Sequence, residues 1–597
     1  MANDASQLRR FSVDYFEGVN TLVGHNLSKK QEFEHCENAR SQTIGTIEKR
    51  QGYRRLGSDL SATANYGLTF FDDSNASSKG MYRVSTVGGT TSVYYLNTSD
   101  VWTALAVSGT NLTAAMCSFV QAEGNLFFVN GTDANRYVAA DGITVTTSSS
   151  GTGHLYNSPV ANKINFYKDR LYLGDYTATT RYKTGIMRSS VPLGIVALVD
   201  GDFAATDCEA NDWITVTDTK YIYATDILDI YRGGTKIADV TVKAKTETSF
   251  QINAITFASG TTLSSADELW VDGTYTGAKL FRWADNPRSG IDVKQYDTFK
   301  LTGADNDPLT MLTNIGDVQV IANKNNMGIW NNYTLYNLDL GIGCVSKQGY
   351  VKALGTLFFI HYTGIYATTG GTPKLISAKI EKYITGSTTA GLEASAAGRK
   401  GYSIFFSLGT VTLYKPDGST DKSLTNVVLE YNLRQENWYV HTGIAAVYFA
   451  TYTTATDPDR LEFATTNDEV FEFLYGTMEN NANEIPFRVD LFPIYLAKNF
   501  ENLAYLREII IETERGSGIK CFISLDGEPF YEIQGEAVKG TTILKVTSRS
   551  EDENQPPRCQ QLRISLRDYS KRLCKISRIA IVYSDSLEEE EFRPQYP

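Results

Sequence analysis

Short apolar strands alternate with polar turns along most of the chain, and one phrase recurs. It consists of an aromatic-rich strand, a turn containing Gly, Asn or Asp, and a second strand. The first strands of this phrase lie at 80–84, 125–129, 169–173, 316–321, 355–360, 401–406 and 460–464. Most of the spacings are roughly 40–50 residues, which is typical of β-propeller blades. The pattern predicts an all-β protein built on a β-propeller of about seven blades.

One spacing, between residues 171 and 318, is much longer than the others. It contains five short strands of its own, and Gly233-Gly234 between two of them can adopt the positive φ of a tight hairpin. We predict an inserted small β-barrel or sandwich at 201–276 that folds independently. The insertion divides the propeller into residues 58–200 and residues 277–480.

The two ends of the chain lack the recurring phrase. Residues 1–57 are polar and charged, which predicts an extended N-terminal arm that can also supply a strand to close the propeller. Truncation of this arm is expected to harm ring assembly more than propeller folding. Residues 481–597 contain cleanly alternating strands and predict a C-terminal β-sandwich.

Charge and cysteine content narrow the classes of function. A net charge of −12 and a pI near 5.2 argue against tight nucleic-acid binding, which depends on Lys and Arg neutralising phosphates. The seven cysteines include no C-x-x-C pair, so we expect reduced thiols rather than disulfides or a zinc site. No apolar run of 18 residues occurs, and we therefore predict no membrane anchor.

A search for chemistry selects no site. The histidines at 25, 35, 154, 361 and 441 share no ligand spacing, and His25, His35 and Cys36 lack the second pair that a metal site needs. Nothing singles out two of the 68 acidic residues as a pair for glycoside cleavage. We predict that the chain is not an enzyme, with no catalytic, cofactor-binding or metal-binding residues and no cofactor.

Several phrases resemble one known family. Near the N-terminus these are Gly18-Val19-Asn20 and, further on, Glu48-Lys49-Arg50-Gln51-Gly52-Tyr53. In mid-chain they are 307–312, 316–321, 341–346, 354–360 and 363–366, followed by a blade ending at 431–439. In this order they resemble the β-propeller proteins of phage portal-to-tail connectors and of the tail nozzle of short-tailed phages. The resemblance covers residues 15–57 and about 305–475.

The resemblance implies a virion structural protein in the phage tail, assembled in the host cytoplasm. Such a protein forms a ring, usually a homohexamer, around the channel through which DNA is retained and ejected. Its partners would be other copies of itself, the portal or adaptor, other tail proteins and tail fibres, with DNA passing through the lumen without tight binding. The alternative is a tail adhesin or a receptor-degrading glycosidase on a propeller scaffold. A cellular scaffold propeller is disfavoured because the blades lack the combination of Gly-His followed by Trp-Asp.

Overall fold

The computed structural model describes most of the chain between residues 8 and 584. The residues that it leaves out inside this range are 23–28, 30, 72–79, 108–110, 140, 143, 148–153, 156–157, 178–180, 192, 194, 225, 254, 256–261, 272–280, 284–297, 302–306, 339, 416–417, 453–458, 468, 478, 497–502 and 548–554. The chain forms two compact units. Unit 1 comprises Met1–Gly57, Val345–Thr369 and Pro373–Pro597, and unit 2 comprises Ser58–Cys344 and Gly370–Thr372. The five segments inferred from the sequence have other boundaries, which stay predictions.

The described part of residues 1–57 belongs to unit 1 and forms strands rather than a separate arm. The strands are β1 (Arg9–Val13), β2 (Phe33–Glu37), β3 (Ala39–Arg40), β4 (Ile47–Lys49) and β5 (Tyr53–Arg55). The first four join the C-terminal sheet, while β5 becomes the fourth strand of a blade. Truncation at residue 57 would therefore remove strands from two sheets. The expected effect of truncation on ring assembly stays a prediction.

The first three blades of unit 2 are sheets of four or five strands in which neighbouring strands are antiparallel, except for the parallel pair Ala106–Val107 with Thr144–Thr147 at the edge of the second blade. The first blade holds β6 (Ala62–Phe71), β7 (Gly80–Val87), β8 (Thr90–Leu96) and β9 (Trp102–Ala104). The second holds β10 (Ala106–Val107), β11 (Ser118–Ala122), β12 (Asn125–Val129), β13 (Arg136–Val138) and β14 (Thr144–Thr147). The third begins with β15 (Val160–Tyr167), β16 (Arg170–Thr177) and β17 (Arg181–Arg188). Gly88 and Gly89 both have positive φ, as the tight turn between β7 and β8 requires.

The insertion is a closed six-stranded barrel. Its strands are β18 (Ile195–Leu198), β19 (Trp213–Thr215), β20 (Ile227–Arg232), β21 (Thr235–Lys245), β22 (Ser249–Ile252) and β23 (Glu268–Val271), with a short 3-10 helix at Ala205–Asp207. The sheet runs β18-β23-β20-β21-β22-β19, and a bridge between Val199 and Val216 joins its two edges. Because closure removes exposed edges and encloses a separate apolar core, the predicted small β module is confirmed. The barrel begins with β18, before the predicted start at residue 201.

Both ends of the barrel lead into the third blade. The fourth strand of that blade is β24 (Thr298–Lys300), which pairs with β17. The amide of Ser190 donates a 2.8 Å hydrogen bond to the carbonyl oxygen of Arg282, so the two connecting segments lie side by side. The guanidinium of Arg282 is buried, forms an ion pair with Asp226 of the barrel and lies 4.2 Å from the ring centroid of Tyr223. Arg282 therefore anchors the barrel to the blade.

Replacing residues 191–280 by a short Gly/Ser linker, together with Arg282→Leu, is expected to leave the blades folded. The barrel has its own core, and closing a short loop costs little. The second change avoids leaving a buried guanidinium without its carboxylate. Far-UV circular dichroism and a thermal melt should show a cooperative transition. Aggregation of this variant would mean that the barrel core is part of the blade core.

Four further blades complete the propeller. The fourth blade, in unit 2, holds β25 (Met311–Ile315), β26 (Val318–Ala322), β27 (Met327–Trp330) and β28 (Leu335–Asn337). The fifth, in unit 1, holds β29 (Tyr350–Ala353), β30 (Thr356–His361), β31 (Gly364–Thr368) and β32 (Lys374–Leu375), and is followed by a 3-10 helix (Ala378–Ile380), α1 (Glu381–Thr385) and α2 (Thr389–Glu393). The sixth holds β33 (Ala397–Lys400), β34 (Ser403–Tyr414), β35 (Thr420–Asn432) and β36 (Asn437–His441). The seventh holds β37 (Tyr448–Tyr452), β38 (Arg460–Ala464), β39 (Val470–Phe473) and β5, with β40 (Glu479–Asn480) and β41 (Asn483–Glu484) beyond β5. The predicted all-β propeller of seven blades is confirmed.

The C-terminal sandwich is organised around one 22-residue strand. Its strands are β42 (Phe487–Leu491), β43 (Ile494–Tyr495), β44 (Ala504–Leu525), β45 (Tyr531–Lys545), β46 (Arg558–Cys559), β47 (Gln561–Asp568) and β48 (Lys575–Ser584). One edge of β44 pairs with β45, and the other pairs first with β48 and then with β47. The change of partner coincides with bulges near Gly516 and Gly518, both at positive φ. A bulged strand that passes from one partner to another forms the corner between two layers.

Candidate functional site: a charged cleft in unit 1

The two N-terminal phrases lie where backbone segments approach each other closely. A Cβ on Gly18 would lie 2.7 Å from the amide nitrogen of Trp438 and closer still to its carbonyl oxygen, and Val19 donates a 2.8 Å backbone hydrogen bond to that oxygen. A Cβ on Gly52 would lie 2.9 Å from the amide nitrogen of Glu479 and closer still to its carbonyl oxygen. Both glycines are therefore required by close packing, without any ligand.

The basic residues beside Gly52 are buried. Lys49 forms a 3.1 Å ion pair with Asp568 of β47, with both side chains almost fully enclosed. Arg50 donates to Asn38 Oδ1 at 2.7 Å and to Asn480 Oδ1 at 2.9 Å, and burial lowers its pKa to about 9. The phrase thus connects the N-terminal strands to the seventh blade and to the C-terminal sheet.

A second cluster of buried polar side chains, centred on Glu430, lies between the N-terminal strands and the sixth blade. The carboxylate of Glu430 accepts hydrogen bonds from Arg40 at 2.6 Å, Ser403 at 2.6 Å and His441 at 2.7 Å. Burial alone would raise the pKa of Glu430, but the charge of Arg40 and the hydrogen bond from His441 outweigh burial and lower it to about 2. Burial also lowers the pKa of His441 to about 4. Although these residue types could support acid–base catalysis, their side chains are enclosed, and the cluster holds the structure together.

A polar cleft of about 290 Å³ lies in unit 1 and is here called the charged cleft. It is bounded by β2, by α1, by the far end of the β34–β35 hairpin and by the C-terminal sheet. The residues that line it are Thr21, Glu34, His35, Lys382, Tyr383, Leu413, Tyr414, Asp421, Lys422, Arg488, Asp490, Phe530 and Arg563. This set combines charged groups with exposed rings, and so it can bind a polar ligand.

His35, Arg488 and Asp490 of the cleft lining belong to one face of the C-terminal sheet, and this face follows from strand alternation. Cross-strand neighbours in β2, β42, β47 and β44 point to the same side of the sheet. On one side lie Cys36, Val489, Leu566 and Cys521, all with no exposed surface, in the apolar core. On the other side lie two polar rows, Glu37-Arg488-Arg567-Lys520 and His35-Asp490-Ser565-Phe522. The sequence alternation of these strands therefore produces a polar face opposite the core.

His35 is held by hydrogen bonds from both ring nitrogens. Its Nδ1 lies 2.7 Å from the hydroxyl of Tyr383, and its Nε2 lies 2.9 Å from Glu37 Oε1 and 3.3 Å from Lys422 Nζ. Burial, followed by the charge of Lys422, lowers the pKa of His35 to about 3. Its imidazole is therefore neutral near pH 7 and serves to position Tyr383 and Glu37.

The carboxylate of Asp490 is held in its ionised form. Arg488 donates two hydrogen bonds to Asp490, at 2.9 and 2.7 Å. Burial opposes ionisation, but these bonds outweigh it and keep the pKa of Asp490 below its usual value. This direction is opposite to that of the proton-donating acid of a glycosidase, whose pKa must be raised. Glu34 is paired with Arg563 at 2.5 Å.

The residues considered as metal ligands do not come together. His25 lies outside the described residues, and His35 and Cys36 point to opposite faces of β2. Burial raises the pKa of the Cys36 thiol to about 12. Within the described ranges, no group of three His, Cys, Asp or Glu residues is placed to hold a metal ion. Over the same ranges, no helix has the length and apolar character needed to span a bilayer.

Comparisons with known proteins give little beyond the fold. No protein-family model matches the chain, and no curated protein is significantly similar to it. Among solved structures, the computationally designed Ika8 protein is 10% identical, with 70% of this chain and 99% of that chain covered and a TM-score of 0.30. An exo-β-1,3-galactanase from Phanerochaete chrysosporium is 8% identical, with 80% and 98% covered and a TM-score of 0.16. BamB from Moraxella catarrhalis is 9% identical, with 71% and 99% covered and a TM-score of 0.27. No functional argument is drawn from likenesses this weak.

The sequence alone did not reveal the charged cleft. Its lining residues His35 and Asp490 come from strands that are distant along the chain, and only sheet pairing makes them neighbours. A weak local signal was available in the alternation Arg563-x-Ser565-x-Arg567, which places polar residues on one side of β47.

Proposed function

We propose that this chain is a virion structural protein that assembles as a six-membered ring in the nozzle or connector of a phage tail, where DNA is retained and ejected. The observation that carries the proposal is the order of the family-like phrases along the chain, beginning with Gly18-Val19-Asn20 and Gly52-Tyr53. Its partners would be further copies of the chain, the portal or adaptor, and other tail proteins including fibres.

The role of the two phrases in the fold supports this proposal. A wall around a DNA channel has to resist deformation, and each phrase fastens the N-terminal strands to other parts of unit 1. Gly18 and Gly52 permit backbone contacts that no other residue would allow, and Lys49 is locked against Asp568. The result is a tightly connected unit of blades and C-terminal sheet.

The charge of the chain agrees with a passive channel. With a net charge of −12, a ring of copies would repel phosphates over most of its surface. DNA could then move past the wall without being held.

Assembly is tested on the purified full-length chain and on intact particles. We expect light scattering after size exclusion to give the mass of six copies, negative-stain images to show rings, and a particle reconstruction to place the ring on the tail axis. In a binding assay at physiological salt, duplex DNA is expected to bind no more tightly than a non-specific partner, with a Kd of about 10⁻⁶ M or weaker. A persistent monomer at a fibre tip, or nanomolar DNA affinity, would overturn the proposal.

One observation favours the adhesin as the second candidate. Tyr414 is 56% exposed beside the charged cleft, and Phe530 lines the same cleft, so two rings are available to a ligand. The lowered pKa of Asp490 and the ion pair between Glu34 and Arg563 favour binding over glycoside cleavage. Location of the chain at a fibre tip would support this candidate over the ring.

A further inference from the structure

Three cations lie side by side on the sheet face that borders the charged cleft, and one of them, Arg488, lines the cleft. Arg488, Arg567 and Lys520 are direct cross-strand neighbours on β42, β47 and β44. Like charges in directly opposite positions destabilise a sheet. Such a row is unexpected in a chain with a net charge of −12 and indicates a local need for positive charge.

The three cations are not equally neutralised. Arg488 is paired with Asp490 at 2.7 Å, and Lys520 with Glu532 at 3.0 Å. Arg567 has no carboxylate partner among the described residues. Its Nε donates to Ser565 Oγ at 3.0 Å, and its guanidinium carbon lies 4.1 Å from the ring centroid of Phe522. The guanidinium of Arg567 is therefore held in one orientation, while its terminal nitrogens stay available to donate hydrogen bonds. This state suits binding of an oxyanion.

Two lysines of the cleft add to this positive charge. The exposed ammonium group of Lys382, on α1, has no ion-pair partner within the described part of the chain. Lys422 contacts Glu37 and His35 at the end of the β34–β35 hairpin. Burial, followed by the charge of Arg488, lowers the pKa of Lys422 to about 8, in agreement with an excess of positive charge at the cleft.

The size and the rings of the cleft restrict the ligand. A volume of about 290 Å³ lies at the lower end for small-molecule sites and suits one sugar-sized unit. Tyr414 and Phe530 offer flat apolar surface beside the cations. From this combination we infer that the charged cleft is a binding site for a sugar unit that carries an oxyanion. Lys382 and Arg488 provide positive charge in the lining, and Arg567 adds to it from beside Phe530.

The inference is tested by isothermal titration of the full-length chain with glucose 6-phosphate at pH 7 and low salt. We expect binding of glucose 6-phosphate but not of glucose. Lys382→Gln should weaken binding by about tenfold, since it removes a charged hydrogen-bond donor of the lining, and Arg567→Gln should weaken it by a smaller factor, since it removes a neighbouring charge. Lys374→Gln removes an exposed lysine outside the cleft and should leave the affinity unchanged. A thermal melt of each variant checks that it is folded, and Lys382 is exposed enough for its variant to keep the fold.

Titration with other ligands shows which kind of anionic group the charged cleft binds. Glucuronate in place of glucose 6-phosphate should also bind, because the charge rather than the phosphorus atom is recognised. No binding of either anion up to about 1 mM, or equal binding of glucose, would overturn the inference. Displacement of glucose 6-phosphate by a short single-stranded DNA at lower concentration than by glucuronate would assign the cleft to nucleic acid and would likewise overturn it.

Discussion

Gly52→Ala is expected to lower the free energy of unfolding of unit 1 by about 3 kcal/mol or more. The added Cβ would lie 2.9 Å from the amide nitrogen of Glu479 and nearer still to its carbonyl oxygen, inside the distance that real Cβ atoms keep. Gly52 also donates a 2.6 Å backbone hydrogen bond to Thr477, so neither segment can move away without breaking it. Urea unfolding followed by circular dichroism measures the loss.

The control for this substitution is Gly371→Ala. A Cβ at Gly371 meets no atom within 4 Å, and its φ is not in the left-handed region. The control should change the free energy of unfolding by no more than about 1 kcal/mol. Equal unfolding midpoints for Gly52→Ala and the wild-type chain would show that the backbone contact at Glu479 is not tight.

Glu430→Ala is expected to destabilise unit 1 by about 3–5 kcal/mol. The substitution leaves the buried guanidinium of Arg40 without its carboxylate, and it removes the acceptor of Ser403 and His441. The matched control is Glu532→Ala, which breaks an exposed ion pair with Lys520 and should leave the unfolding midpoint unchanged. Similar losses for the two variants would mean that the buried cluster contributes no more than a surface pair.

The pKa of Glu430 adds a pH signature to this prediction. Its folded-state pKa of about 2 lies below the ordinary value of 4.5, so the folded state favours the ionised carboxylate. The stabilisation is complete above pH 4.5 and is lost as the pH falls towards 2. Glu430→Gln cannot titrate and should lack this component of acid unfolding. The difference between wild-type and variant stability, measured at pH 6 and at pH 3, should therefore shrink at the lower pH.

The blades could be predicted because their determinants are local. The strand Thr356–His361 is followed by a short turn and by a second strand that begins at Gly364. This local pattern predicts a hairpin without knowledge of any distant residue. The inserted module was found for the same reason, since Gly233-Gly234 marks a hairpin within it. The strand at Ile195 was missed because four residues beside a blade carry no signal of the sheet to which they belong.

In the N-terminal region, local sequence patterns did not predict which side chains are buried or what they contact. The three consecutive charged residues Glu48, Lys49 and Arg50 show no apolar pattern, yet Lys49 and Arg50 are almost fully buried. Their partners, such as Asp568 and Asn480, are more than 400 residues away along the chain. Pairing over that distance depends on which strand edges are left open when the blades and the C-terminal sheet have formed, and a sequence pattern does not encode this.

The sequence by itself determined the fold class and the number of blades, because strand period, turn residues and repeat spacing are properties of neighbouring residues. Tertiary structure alone decided that β5 completes the seventh blade and that β1 to β4 join the C-terminal sheet. It also decided that Arg488, Arg567 and Lys520 form one row. The physical reason is that sheet register determines which distant side chains share a face, so the charged cleft exists only after the strands have paired.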